Sequence, residues 1–286
     1  MAVTPVEMKH WSDMKLIDEL LDDLTDGEVI RVVIGLHWTA VLVETNGQRR
    51  CGLASTLPDQ CGFHGDPNPL KAGTLDTGSG RELARLARSA PGPQASVGVA
   101  AINALLPSSD HDRFDSNAEE VLAVLGAGRT VALVGEFPFV PRLRDRVGRL
   151  LVIDRAREDD VHPAASAPDI LPGADVVALT GMTLVNGTLE RLLELCRPDA
   201  TVVILGPSTP LCPVLFRHGA DVLFGSVVTD SVNVMKVIEQ GGKFRQVRRA
   251  GVRLVCRDRA GSTSPRTLAA AVGDRSRGAE GERDER

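Results

Sequence analysis

The 286-residue chain has no tyrosine, two tryptophans and seven phenylalanines. An aromatic set this sparse does not build the stacking platforms that hold bases or sugar rings. No apolar run approaches the ~18 residues that a bilayer-crossing helix needs. The opening, MAVTPVEMKHWSDMK, lacks a basic segment leading into an apolar one, so no secretion signal is expected. Cys51, Cys61, Cys196, Cys212 and Cys256 are an odd number for a disulfide framework in a chain this long. The expected compartment is therefore a reducing cytosol. Lys and Arg number 33 against 38 Asp and Glu, a net charge of −5. That balance argues against nucleic acid as the main partner, because phosphate binding needs a concentrated basic surface. The G-x-S-x-G elbow, the Walker A loop and H-E-x-x-H are all missing, which leaves a standard hydrolase or kinase reading without motif support.

The chain is long enough for two domains, and the pattern divides accordingly. Residues 12–106 read as an α+β module. Leu16, Ile17, Leu20, Leu21 and Leu24 follow helical spacing, with Ser12 or Asp13 as N-cap and Gly27 just past the end. Two β-rich stretches, Val29–Leu36 and Thr39–Thr45, lead to Asn46-Gly47, a pair that favours positive φ and marks a hairpin tip. A Gly/Pro/Asp-rich loop covers Cys61–Gly80, and Arg81–Ser89 and Ser96–Leu106 carry helical patterns. The polar, turn-rich stretch 107–115 reads as a linker. Over residues 116–258 strands alternate with helices: Thr130–Gly135, Leu150–Asp154, Val176–Gly181, Thr201–Gly206 and Asp221–Gly225. Most are short continuous apolar runs, as parallel strands covered on both faces require. This predicts an α/β, Rossmann-like parallel sheet with helices on both faces. Residues 259–286, mixed in charge and without core formers, predict a disordered tail.

Several predicted strands end in a polar or Gly/Pro group. These are Gly135-Glu136-Phe137-Pro138, Asp154, the run from Thr180 through Gly181, Thr183 and Asn186 to Thr188, then Gly206-Pro207-Ser208-Thr209-Pro210, and Gly225 to Asp230. In an open parallel sheet the carboxyl ends of the strands border the ligand crevice. Any one of these loops alone reads more readily as an ordinary turn or helix cap. Together they point to a crevice. Asp154 follows Gly135 by 19 residues, near the spacing of an acid that holds a ribose hydroxyl. Yet Gly-Glu-Phe-Pro-Phe-Val is not G-x-G-x-x-G, and Glu136 would repel a pyrophosphate. Tight NAD binding is disfavoured, whereas an adenosyl-type ligand stays open. Thr180–Thr188 and Gly206–Pro210 each precede a predicted helix, whose N-terminus would favour an anion.

Two local sets contain metal-ligand types. Cys51, Cys61 and His64 form C-x9-C-x2-H, outside the short Cys spacing of structural zinc sites. Asp110-His111-Asp112 lies in the linker. For each, a small buried cysteine or solvated loop residues is the stronger reading. Cys196 and Cys212 fall on apolar helical faces and read as core.

The strings around Gly135-Glu136-Phe137-Pro138, Leu171–Asp175, Thr180–Thr188 and Gly206–Leu211 resemble the putative heavy-metal-chelation family. In the first domain Gly52–Ser55 and Gly98–Ala104 fit it too, and the resemblance runs from about Asp13 to Arg257. It implies an N-terminal domain similar to the small capping domain of enolases, followed by a Rossmann-like domain, with a site in the cleft between them. Enolase chemistry does not follow, since that superfamily's metal-binding carboxylates and lysine base belong to a barrel this chain lacks. The family pattern often carries His where Glu136 stands and Glu where Asp154 stands. The first departure replaces a nitrogen donor with a hard oxygen one.

The leading expectation is a two-domain binding protein holding a small polar or metal-chelating ligand, with a heavy or divalent metal as part of it. Glu136 and Asp154 would meet a cation or protons. Thr180, Thr183, Asn186, Ser208 and Thr209 would orient anionic oxygens, beside Gly135, Gly181, Gly206 and Asp230. Gly52, Ser55 and Asn103 would reach in from the first domain. The alternative is a transferase or lyase of metallophore or natural-product metabolism, using a nucleoside-type cofactor such as S-adenosylmethionine near Asp154. A scaffold protein with an empty cleft is the third reading. A homodimer suits a cleft protein of this size, though no residue pattern demands one.

Overall fold

A computed structural model describes residues 15–58, 72–107, 114–154 and 160–261. Helix α1 (Lys15–Asp22) buries Leu16, Ile17, Leu20 and Leu21, the stripe expected from their spacing. Strands β1 (Glu28–Ile34), β2 (Trp38–Thr45) and β3 (Gln48–Ser55) form an antiparallel sheet in that order. Asn46 (φ 51°) and Gly47 (φ 72°) make the two-residue turn between β2 and β3, as the Asn-Gly pair predicts. Ser79 and Glu82 close a capping box on α2 (Gly80–Ala84), and a 3-10 turn (Arg85–Arg88) leads to α3 (Pro93–Leu105).

The alternation of side chains splits this small sheet between two cores. Val29, Val41, Val43 and Ala54 join the cluster that holds α3, while Val33, Ala40, Leu42 and Leu53 join another. Gly52 on β3 has a particular packing role. A Cβ there would lie 2.1 Å from the Ala100 carbonyl oxygen and 2.3 Å from the Ala104 nitrogen, so only glycine lets β3 rest on α3.

The second sheet has eight strands. Phe114–Asp115, the end of the expected linker, is strand β4, paired antiparallel with the last strand. Helix α4 (Ala118–Leu125) precedes β5 (Thr130–Val134), and α5 (Val140–Arg144) connects it to β6 (Arg149–Asp154). Strand β7 (Val161–Pro163) and helix α6 (Ala167–Ile170) lead to β8 (Val176–Thr180). Helices α7 (Met182–Val185) and α8 (Leu189–Glu194) precede β9 (Thr201–Leu205), and α9 (Pro213–Arg217) precedes β10 (Val222–Val228). Helices α10 (Ser231–Glu239) and α11 (Phe244–Arg249) lead to β11 (Val252–Asp258). The strand order is β4-β11-β10-β9-β8-β5-β6-β7. From β10 to β7 every pair is parallel, whereas β11 runs antiparallel to β10. The fold is thus α/β: a mostly parallel sheet flanked by helices, joined to a small antiparallel sheet.

Alternate residues of the central strands again face different cores. Val131, Leu133, Val152, Val176 and Ala178 pack with Leu122, Leu125 and Leu143 of α4 and α5. Ala132, Ile153, Val177 and Leu179 share a cluster with Leu189 and Val214 and with α1 and α3. The far face of the small sheet meets Val234, Met235 and Ile238 of α10, Val247 of α11 and Val252. Each such buried side chain contributes about 1.5–3 kcal/mol, so two apolar seams clamp the sheets together. No helix among the described residues is long and apolar enough to cross a membrane. Arg259 reaches back to the Phe216 and Ala220 carbonyls, and residues 262–286 of the expected tail lie outside the described residues.

Candidate functional site

Strand order places the site. From β5 the chain moves outward to β6 and β7, then returns to β8 on the other side and continues to β9 and β10. The β5/β8 junction is the topological switch point, where the loops leave the sheet in opposite directions; in open α/β sheets this place at the carboxyl edge is where ligands bind.

The residues that terminate these strands meet there. Gly135 ends β5 with φ 108° and donates its N–H to the Ile153 carbonyl at 2.9 Å, which sets it beside Asp154 at the end of β6. Thr180 ends β8, and a Cβ on Gly135 would lie 2.9 Å from the Thr180 Cβ. Gly206 follows β9 with φ 124°; a Cβ there would approach nothing closer than the Gly181 nitrogen at 3.7 Å and Thr180 Oγ1 at 4.0 Å. Glycines in this region of φ free the strands to turn sharply; Gly206 leaves room over its backbone, whereas the space over Gly135 is taken by Thr180. Glu136 is exposed and Asp154 half-buried at the rim. Beside them Phe137 and Phe139 stack with centroids 5.2 Å apart.

Behind this rim the polar residues are engaged in holding the loops. Thr183 Oγ1 donates to the Thr180 carbonyl at 2.6 Å. The Gly181 N–H donates to the Leu205 carbonyl at 2.8 Å, and its Cα faces Thr209, whose Oγ1 would be 2.5 Å from a Cβ. That Thr209 hydroxyl is buried without a hydrogen-bond partner among the described residues. Ser208, 2% exposed, accepts the Ser55 N–H at 2.9 Å, and the two serine hydroxyls lie 3.2 Å apart. Asn103 donates from Nδ2 to the Leu53 carbonyl at 2.8 Å and to the Ser208 carbonyl at 3.2 Å. Ser55, Asn103 and Ser208 therefore stitch the small sheet and α3 onto the β9 loop.

Gly135, Glu136, Asp154, Thr180, Gly181 and Gly206 converge at the sheet edge, with Thr183, Ser208 and Thr209 beneath them. Three other candidates are engaged in structural contacts of their own. Gly52 faces α3. The Asn186 Oδ1 accepts from the Thr188 N–H and hydroxyl at 3.1 and 2.6 Å, closing its own turn. Asp230 caps α10, accepting from the Asn233 N–H at 3.0 Å and Nδ2 at 2.6 Å. Sequence reasoning missed Met182, a large apolar side chain 37% exposed at the start of α7. Its only signal was a bulky residue between the Gly181 and Thr183 of a loop.

The helix termini also differ from expectation. The helix that follows Thr188, α8, has six residues and α9 has five, and the four-residue α7 lies inside the Thr180–Thr188 run itself. A macrodipole is a sum over aligned peptides, so helices this short supply little of the anion attraction the loops were expected to gain.

The donor set bears on metal chemistry. Burial pushes the Cys51 thiol up to about 12 and the Cys196 and Cys212 thiols to about 11, and it raises Cys256 as well. These thiols are protonated at neutral pH, whereas a metal is bound by the thiolate. Among the described residues no group of three or more His, Cys, Asp or Glu side chains is placed to hold a metal ion. Cys61, His64 and Asp110-His111-Asp112 lie outside the described residues. The described residues do not fit a protein-held soft metal ion. What they offer is two hard carboxylates and hydroxyls, suited to a ligand that brings donors of its own.

Residues 117–256 match the model of a family described as "putative heavy-metal chelation", and residues 17–106 match a second model of the same description. The crystal structure of a protein of unknown function from Desulfitobacterium hafniense, of the family matched by residues 117–256, is similar with a TM-score of 0.71. It is 25% identical, and the match covers 86% of this chain and 98% of that one. Another of unknown function, from Pyrococcus horikoshii, gives a TM-score of 0.69 at 24% identity, covering 85% and 96% of the two chains. An uncharacterised protein of Methanocaldococcus jannaschii is 29% identical over 200 residues, 67% of this chain and 75% of that protein.

Proposed function

Because the chain belongs to the family described as "putative heavy-metal chelation" through both of its sheets, we propose that it binds a small polar, metal-chelating ligand where the small sheet meets the carboxyl edge of the large one. Any metal is cargo carried by the ligand. Glu136 and Asp154 face the cationic or proton-bearing part of the ligand, and the Thr180 hydroxyl orients its anionic oxygens. Gly206 keeps the approach to its backbone open, and Gly135 makes room for Thr180. Ser208, Ser55 and Asn103 act from behind, by setting the height of the β9 loop.

The observation that carries this reading is the meeting of Gly135, Asp154 and Thr180 at the switch point, with Glu136 next along the chain and a positive-φ glycine on either side of Thr180. Native mass spectrometry on the full chain, purified rapidly without chelators, tests it. The expected result is added mass equal to a metal ion with a small organic molecule, lost in the Glu136→Gln/Asp154→Asn double variant. A bare chain from every preparation counts against the reading.

A second reading draws on one specific contact, the Gly135 N–H to Ile153 carbonyl bond that seats Asp154 next to the β5 turn. An acid at that position suits the ribose hydroxyls of an adenosyl-type cofactor. An added mass of that type, lost in Asp154→Asn alone, would move this reading to first place.

A further inference from the structure

A groove of about 500 Å³ lies where α10 and α11 meet, lined by Asp230, Asn233, Lys236, Gln240, Arg249 and their neighbours. It is separate from the crevice. Phe224 of β10 pairs with Leu205 of β9, and Asp230 follows six residues later. At ~3.3 Å per residue that is roughly 20 Å along the strand direction.

The charge here runs against the rest of the chain. Ser231 to Gly251 carries Lys236, Lys243, Arg245, Arg248 and Arg249 against one acid, Glu239, in a protein of net charge −5. Glu239 is paired with Arg31 of β1. Both oxygens of Asp230 are occupied by Asn233. Among the described residues neither the Lys236 nor the Arg249 side chain has an ion-pair or hydrogen-bond partner. Cations near helix C-termini are common, because they complement the macrodipole. In this fold, however, two helices turn theirs into one concavity, with side-chain amides from Asn233 and Gln240 between them.

We propose that this groove binds a small polyanion carrying several carboxylate or phosphate oxygens, with Lys236 and Arg249 as its charged contacts and Asn233 and Gln240 as amide donors. The guanidinium offers a planar fork for two oxygens, and the ammonium a point charge. A volume of this size holds a small metabolite. Because the cations are exposed, the attraction falls as salt screens it.

Isothermal titration calorimetry on the full chain, with citrate and with tripolyphosphate at low ionic strength, tests the proposal. Saturable one-site binding that weakens with added salt is expected, and the tighter probe identifies the oxyanion class. Lys236→Gln/Arg249→Gln weakens binding by about tenfold or more, as loss of two charge-assisted contacts implies. Arg245→Gln/Arg248→Gln removes the same charge from residues that do not line the groove, and shifts affinity less than about threefold if Coulomb attraction at a distance is all it loses. Lys236→Arg keeps the charge and retains binding. Equal losses in the two double variants, or no saturable heat from either probe, overturn the proposal. Thermal melts of the variants, expected to match the parent chain, separate a lost contact from a lost fold.

Discussion

Replacing Ser208 by alanine separates two roles for the loop after β9. If its hydroxyl served only a ligand, the ligand-free protein would not miss it. In the structure that hydroxyl is buried and accepts the Ser55 N–H at 2.9 Å from the other sheet. Alanine removes the acceptor and leaves the N–H facing an apolar methyl. A stranded buried donor costs about 1–3 kcal/mol. Ser55 is only half-buried, so water recovers part of the loss and about 1–2 kcal/mol is expected. That changes the folded-to-unfolded ratio roughly 5–30-fold and lowers Tm by a few degrees. Urea unfolding of the ligand-free chain, followed by circular dichroism, measures it. Asn103 pins the same loop through the Ser208 carbonyl. A double-mutant cycle with Asn103→Ala should therefore show a coupling of about 0.5 kcal/mol or more. Stability within about 0.5 kcal/mol of the parent, with no coupling, would refute the argument that these residues are inter-sheet stitches.

Other perturbations follow from the same geometry. Gly52→Ala forces β3 away from the α3 backbone, 2.1 Å from the new methyl, and should cost about 3 kcal/mol or more; a variant as stable as the parent would show that β3 does not rest on α3 at this point. Asp175, at the opposite end of the sheet, is pulled two ways: burial raises its pKa, but the Thr130 N–H at 2.8 Å and Arg197 at 2.6 Å outweigh this and hold it below the ordinary carboxylate value. Its contribution is therefore present above about pH 4 and is lost as pH falls through the lower folded value. Asp175→Asn should cost about 1 kcal/mol at pH 7, and the gap to the parent should narrow by pH 3 in urea titrations; a gap of the same size at both pH values would mean the carboxylate's charge contributes nothing.

The expected elements that formed are those whose signal is local. Helix α1 carries its whole stripe in Leu16, Ile17, Leu20 and Leu21, and Asn46-Gly47 has the φ preference its turn demands. The central parallel strands are apolar throughout because both faces are covered, and such runs can be read without knowing their neighbours. Strand β3 escaped detection because Gln48-Arg49-Arg50 opens it with polar residues and Gly52 weakens it. It becomes a strand by pairing with β2 along its full length. Strand β4 has two residues and exists only by its bonds to β11.

The same division runs through the site. The sequence by itself determined that glycines, hydroxyls and acids punctuate the ends of the parallel strands, because a buried apolar run must stop where the chain turns. It could not say which of those groups share a space. Tertiary structure decided that Gly135, Asp154 and Thr180 meet, because strand order puts β5 between β6 and β8. It turned Ser208, Ser55 and Asn103 into contacts between the sheets, drew Gly52 against a helix and carried Asp230 to a groove beyond the crevice. Those assignments depend on residues up to 153 positions apart in the chain. No local preference encodes such a distance, and only burial of the shared apolar seams brings its ends together.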